Sequence, residues 1–237
     1  MLSHTYFYQQ RPEVDRRSEQ SPIKDQGQRG TCVAFAATAG HEMLRHEEVD
    51  LSEEFLRWAA KQRDGLPSSA TGTTLAAAAA ALAAVGQPPE ELWPYDGARD
   101  DRTSSYQPTK EACDAAAVRR ADGGGLLLPT TQGLRQALDR SLAVLLGIRI
   151  HLPWYVVTHD GLIQMPAPTA NSYAGHAVLI VGYRNGDETG GGAFIVRNSW
   201  GTDWGAQGYG FLPYAYVDSY GIEAWGLAIG SSKEAIL

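Results

Sequence analysis

Residues 21–47 read SPIKDQGQRGTCVAFAATAGHEMLRHE, and the change of character at Cys32 within that stretch organises the chain. Upstream, Pro22, Gly27 and Gly30 punctuate a polar segment that reads as extended chain and loop. From Cys32 to about Glu47, the residues Val33, Ala36, Ala37, Gly40, Met43 and Leu44 recur at three- and four-residue steps. That spacing predicts a helix with one buried face, and Thr31 is expected to cap its start. Cys32 therefore opens a helix, where unpaired amide groups and the helix dipole favour negative charge. A thiol there is drawn toward its reactive, ionised form.

Outward from this helix, Ser52 is a predicted N-cap, with Glu53 and Glu54 suited to the first turn of a second helix. The alanine-rich run from Thr73 to Val85 predicts a third, stopped by Gly86 and followed by Pro88 and Pro89. Residues 97–109 are polar and turn-rich, and Gly123–Gly125 reads as a flexible break. We place a domain boundary there, giving a mainly helical lobe over 1–125 and a mainly β lobe over 126–237. After a short predicted helix at Gln132–Arg140, the pattern changes to short apolar or alternating runs at 145–150, 177–183, 193–197, 209–214 and 226–229. Clusters such as RNGDETGGG at 184–192 separate them. The expected fold class is α+β in two lobes, with an antiparallel sheet or barrel in the second.

Composition narrows the function. The 237 residues are 43% hydrophobic and 20% charged, as in an ordinary globular protein able to bury a core without staples. A net charge of -7 is ill suited to phosphate backbones, so nucleic acid is set aside as a partner. No apolar run reaches the roughly 18 residues of a membrane-spanning helix. The N-terminal MLSHTYFYQQRPEVDRR lacks the pattern of a secretory leader. A cytoplasmic protein without membrane contact is expected. The alanine-rich, arginine-containing style suggests a bacterial source. Only two cysteines occur, Cys32 and Cys113; the first must stay reduced if it is a nucleophile.

A cysteine nucleophile needs an imidazole within hydrogen-bond reach. His176, at the mouth of the apolar run AGHAVLIVGY, is the candidate, although a histidine entering such a run is more often a hydrogen-bonded core residue. Asn198, at the end of FIVRNSWG, is the candidate to fix the ring's tautomer and orientation; strand ends also carry Asn for turn chemistry alone. Trp200 is placed to cover that bond, with Trp204 supporting the same wall, and ordinary core packing is the plainer role for both. Gln26, on the glycine-containing loop before Cys32, is a candidate oxyanion donor alongside the Cys32 amide. An exposed loop Gln is the plainer reading.

Together these residues carry a family resemblance. SPIKDQGQRGTCVAFAATA (21–39) resembles the nucleophile segment of papain-like cysteine peptidases, GHAVLIVGY (175–183) their histidine strand, and FIVRNSWGTDWGAQGYGFL (194–212) their Asn-Ser-Trp-Gly segment. LSEEFL, GTTL and LWPYD fall between them in the family's order, so the resemblance covers about residues 12 to 230. It implies a papain-like two-lobed fold with a cleft between the lobes. It also implies peptide-bond hydrolysis through a Cys32 thioester, no metal and no organic cofactor, and a peptide or protein substrate with a protein inhibitor or regulator as a further partner class. Gly72 matches the glycine whose backbone pairs with substrate. Thr73, Gly175 and Trp200, with Thr74 and Gly147, are the implied lining of the substrate cleft. Departures from the pattern are Thr31 and Val33 around the nucleophile, Gly175 before the histidine, the missing extra cysteines, and no inhibitory segment before residue 12. Two alternatives stay open: a peptide ligase or cyclase using the same chemistry, and a catalytically silent peptide-binding module.

Other features do not lead to sites. His41 and His46 are five apart and, at ~100° per residue, do not share a helix face as a zinc pair would. His151, His159 and Asp160 read as loop residues rather than ligands. GTDWGAQGYG lacks the phosphate-loop pattern, and Cys113 reads as a bland thiol.

Overall fold

A computed structural model describes residues 13–230 apart from 47, 123 and 187–190. The leader reading at residues 1–12, Gly123 of the glycine break and part of the 184–192 turn thus lie outside the described residues. In chain order the elements are β1 (Glu13–Asp15), α1 (Cys32–Arg45), α2 (Glu53–Lys61), α3 (Leu75–Ala84), α4 (Lys110–Ala116), β2 (Gly124–Leu127) and α5 (Thr131–Asp139). They continue with β3 (Ala143–Ile150), β4 (Ala174–Arg184), β5 (Ala193–Arg197), β6 (Tyr209–Pro213), α6 (Tyr214–Tyr220) and β7 (Gly221–Leu227). The fold is α+β, and its sheet is open and antiparallel, in the order β2-β7-β3-β4-β5-β6.

The sheet is the middle layer, and its two-residue period explains why β3 and β4 read as unbroken apolar runs. Ala143, Leu145, Ala177, Leu179 and Val181 pack with α1, α2 and α3. The alternate residues Val144, Leu146, Ile148, Val178 and Ile180 pack with α5, α6 and two tryptophans, Trp154 and Trp204. Gly40 lets α1 lie close on the sheet, since a Cβ there would sit 3.1 Å from Ala143 Cβ and 3.2 Å from Leu179 Cδ1. His41 is buried in the same helix, its Nδ1 3.1 Å from Gln87 Oε1. Among the described residues, no helix is long and apolar enough to cross a membrane.

Local expectations hold where local chemistry decides. Ser52 Oγ accepts from the Phe55 amide and caps α2, and Thr74 Oγ1 accepts from the Ala77 amide and caps α3. Gly86 takes φ 75° just past α3. Three readings change and one sharpens. Thr31 makes no side-chain cap; its hydroxyl lies 3.0 Å from Tyr95 Oη instead. Glu13–Asp15, part of the polar first thirty residues that read as extended chain and loop, forms β1 and pairs with the end of β4 (Val14 with Tyr183). Gly124 and Gly125 begin β2, where the Trp225 ring leaves no room for a Cβ on Gly124. The run ending at Tyr214 stops at Pro213, and α6 follows.

The pairing of β1 depends on Gly182, since a Cβ there would lie 2.1 Å from Val14 O. Gly182→Ala is expected to cost about 1–3 kcal/mol through this overlap, while Gly186→Ala, with nothing within 4 Å, is expected to be near neutral. Equal melting temperatures for the two variants would contradict the account.

Candidate active site

Cys32 is the first residue of α1 and is half-buried, with a free thiol. The backbone amides of Ala177, Val33 and Cys32 itself approach the sulfur. They favour the thiolate, as the helix-start argument expects, and Arg57 adds a weaker pull in the same direction. Burial outweighs them and pushes the Cys32 thiol up from its ordinary range.

Ala177 follows His176, so β4 brings the imidazole to the same place. His176 is buried at the start of β4, opposite Ile148 of β3. Its Nε2 lies 2.8 Å from Asn198 Oδ1, just beyond the end of β5. Asn198 Oδ1 also accepts from the Ser199 amide at 2.8 Å, and the Asn198 amide donates to Gly208 O. With an acceptor at Nε2, that nitrogen carries the proton, and Nδ1 is the lone-pair nitrogen of the neutral ring. Burial pulls the His176 pKa down to about 4, partly opposed by the bond to Asn198.

Two tryptophans flank the imidazole and a third backs both of them. The Trp200 ring lies 4.8 Å from it at 35°, and Trp154 stands edge-on at 6.0 Å. Trp204 stacks on Trp154 at 5.9 Å, and its Nε1 donates to Trp154 O. Trp200 and Trp204 thus occupy the expected wall, and Trp154 is a third member that sequence reasoning missed.

Gln26 is buried and fastened to the turn after Asn198. Its amide donates to Ser199 O at 2.9 Å, and its Oε1 accepts from Ser199 Oγ at 2.5 Å. Its Nε2 donates to Arg29 O at 2.8 Å, so one amide hydrogen remains for another acceptor. Ser199, which orients this side chain, was also missed. The signal was its place beside Asn198, but its partner is distant in sequence.

The expected substrate-cleft residues are dispersed. Gly30 packs so tightly on the loop before α3 that a Cβ would lie 2.6 Å from Thr71 O, which brings Gly72 and Thr73 to the Cys32 side. A Cβ on Gly72 would meet nothing within 4 Å, and Gly72 O accepts from Lys61 Nζ at 3.3 Å. Gly175 is exposed at the start of β4, while the Thr74 hydroxyl is engaged as a cap and Gly147 faces Glu223. A cavity of about 1050 Å³ opens beside this loop, lined by Gly30, Thr31, Thr71, Arg57, Lys61 and Asp101 among others. Its cations are paired: Arg29 with Glu54 at 2.8 Å, Arg57 with Asp101 at 2.7 Å and Lys61 with Asp64 at 2.9 Å.

Comparison with known proteins agrees with this architecture. The sequence model described as "Papain family cysteine protease" matches residues 11–227. Cathepsin K of Gallus gallus is 29% identical over 211 residues, covering 87% of this chain and 59% of that protein. The chain spans about three fifths of the length of such curated relatives. The crystal structure of xylellain, a cysteine protease from Xylella fastidiosa, shares the fold at TM-score 0.80 and 24% identity, covering 94% of this chain and 87% of that one. The Carica candamarcensis cysteine protease CMS1MS2, solved in complex with E-64, shares it at TM-score 0.67 and 21% identity, covering 93% and 99%.

Because burial holds the His176 pKa near 4 when no thiolate faces it, Cys32→Ala protein is expected to show a His176 ring that titrates near 4 by NMR. In the same variant the unfolded chain takes up a proton that the folded ring refuses. This group's share of stability, present above about pH 6.5, is therefore lost as pH falls toward 4, by about 3 kcal/mol in all. A ring midpoint at or above 6.5 would contradict the dry-site account.

Proposed function

Because the chain belongs to the papain family of cysteine proteases, we propose that it hydrolyses peptide bonds, with Cys32 as nucleophile, His176 as acid and base, Asn198 as orienting group and Gln26 as oxyanion donor. The observation that carries the reading is the 2.8 Å bond between His176 Nε2 and Asn198 Oδ1, which leaves Nδ1 as the nitrogen for the thiol. Support comes also from Ala177, whose amide approaches the Cys32 sulfur from the residue next to His176.

Taken singly, both groups are pushed toward neutrality by burial. Transfer of the proton from Cys32 Sγ to His176 Nδ1 creates two opposite charges in contact, which stabilise each other in a dry site. The backbone amides around the sulfur hold the thiolate, and Asn198 Oδ1 holds the imidazolium. The thiolate then forms a C–S bond to the scissile carbonyl carbon. The resulting oxyanion accepts from the Cys32 amide and the free hydrogen of Gln26 Nε2. His176 Nδ1 delivers its proton to the departing amine as the C–N bond breaks, leaving a thioester. Water, deprotonated by Nδ1, attacks that thioester and restores the thiol.

On this reading the substrate lies extended between a helical lobe to about residue 125 and the sheet lobe beyond it. The acyl side passes Gly72, Thr73 and the charge-balanced cavity at Gly30 and Thr71. The departing side passes His176, Gly175 and Trp200. A peptide or protein is the substrate, and a protein inhibitor fits the same cleft. The free thiols of Cys32 and Cys113 suit a reducing, cytoplasmic setting.

Cys32→Ala is expected to lower peptide turnover by about 10⁴-fold or more while leaving the circular dichroism spectrum unchanged. Gln26→Ala is expected to lower kcat by about 10²-fold with little change in KM. Full turnover of a general peptide substrate by the Cys32→Ala protein would sink the assignment. Joined rather than cleaved peptides in the mass spectrum of wild-type products would redirect it to a ligase.

A further inference from the structure

Beyond the three tryptophans, the aromatic wall continues onto the surface. Tyr155 stacks on Trp200, with ring centroids 5.4 Å apart and planes 21° apart. Tyr173 stands edge-on to Tyr155 at 5.7 Å and 81°. These two rings are 52% and 64% exposed, and their neighbours Val156 and Leu152 are 62% and 55% exposed. The segments that carry them, 152–157 (LPWYVV) and 161–175 (GLIQMPAPTANSYAG), contain no charged residue, in a chain that is 20% charged. Exposed apolar side chains scattered singly need no explanation, but two half-exposed rings packed in series on Trp200, on segments flanked by charge only at Arg149 and Asp160, do.

Its position gives it an occupant. His176 hands a proton to the departing amine, so the part of the substrate after the scissile bond must run past the imidazole. Trp200 lies against that imidazole, and Tyr155 against Trp200, by ring-to-ring steps of 4.8 and 5.4 Å. Laid end to end, the two steps are spanned by at most about three residues of extended chain at ~3.3 Å each. The large cavity, whose lining carries the paired charges of Arg29, Arg57 and Lys61, lies instead at Gly30 and Thr71, on loops of the helical half. The two sides of the substrate therefore meet different chemistry: paired charges before the bond and aromatic faces after it.

We propose that Tyr155 and Tyr173 form a specificity platform that packs an aromatic or large apolar side chain within the first three residues after the scissile bond. The direction of the substrate in this inference rests on the peptidase reading above. The energetic source is aromatic packing and removal of exposed ring surface from water. The contact strengthens as the chain lies down across the rings. It discriminates by apolar area, so Phe or Leu is favoured over Ser or Asp.

The test uses matched, internally quenched peptides that differ only at the first, second or third position after the bond, carrying Phe, Leu, Ser or Asp. Wild-type protein is expected to prefer Phe or Leu at one of these positions by about tenfold in kcat/KM. In the Tyr155→Ser/Tyr173→Ser double variant, that ratio is expected to collapse toward one, with the melting temperature nearly unchanged because both rings are exposed. Binding of the same peptides to Cys32→Ala protein, read by tryptophan fluorescence, gives a measure that needs no turnover, and the same preference is expected in Kd. Cleavage without preference at any of the three positions, or a preference that survives in the double variant, overturns the platform and leaves the peptidase reading standing. Equal binding of all four peptides to Cys32→Ala overturns it as well. No cleavage by wild type together with selective binding to Cys32→Ala overturns the peptidase reading and leaves the platform.

Discussion

The site depends on a tie between the loop before α1 and the turn after β5. Gln26 and Ser199 exchange a backbone bond and a side-chain bond, the Gly201 amide donates to Lys24 O, and Asp25 bridges to Trp200. Without this tie, Cys32 and Asn198 would belong to separate layers: α1 on one face of the sheet and the end of β5 in its plane. With it, the group that would receive the oxyanion and the group that orients His176 are set by the same few bonds. Gly208 makes the turn tight enough, at φ 88° and with Ile23 where a Cβ would point, and its carbonyl takes the Asn198 amide.

The loop itself is held from beneath by buried charge rather than by disulfides, for both cysteines are free. Arg197 donates to Ser21 O and Pro22 O. Glu42, buried in α1, accepts from Ser21 Oγ and from the Leu51 amide. Lys24 bonds Glu53 at 2.9 Å, and Arg29 makes a two-point contact with the fully buried Glu54. Burial raises Glu53 to about 8 despite Lys24, so that carboxyl contributes most as a hydrogen-bonding group that can share a proton. Such a network fixes a unique loop geometry only while every member is present. The buried carboxyl groups of Glu42, Glu53 and Glu54 are therefore structural.

Much of this was legible in the sequence because the chemistry-bearing residues sit at the ends of strongly patterned elements. Cys32 opens a helix whose three- and four-residue steps are plain, and His176 enters a run whose length marks it as a strand. Asn198 closes another. What the sequence did not disclose are partnerships across distance. Thr31 has the chemistry of a cap, but Tyr95 takes its hydroxyl from 64 residues away. Glu13–Asp15 carries no strand signal and is a strand only because β4 is long enough to leave an edge free beyond β3. Gly124 and Gly125 look like a hinge, yet the glycine at 124 is required by the Trp225 ring. Ser199 and Trp154 were missed because neither belongs to a periodic pattern; their importance comes from Gln26 and His176, which fold onto them.

The aromatic wall around His176 has opposing effects that the site must reconcile. By excluding water, Trp154 and Trp200 lower the basicity of the ring, which disfavours the ion pair. The same exclusion strengthens the bond to Asn198 Oδ1 and any attraction between sulfur and imidazole. A carboxylate in place of Asn198 would tip this balance toward the imidazolium, whereas an amide oxygen orients the ring without adding a charge. The second acceptor bond of that oxygen, from the Ser199 amide, keeps it aimed as the ring changes state. The geometry is thus fixed by the backbone of one turn, and the proton is left free to move along the one remaining path, between Nδ1 and whatever stands opposite it.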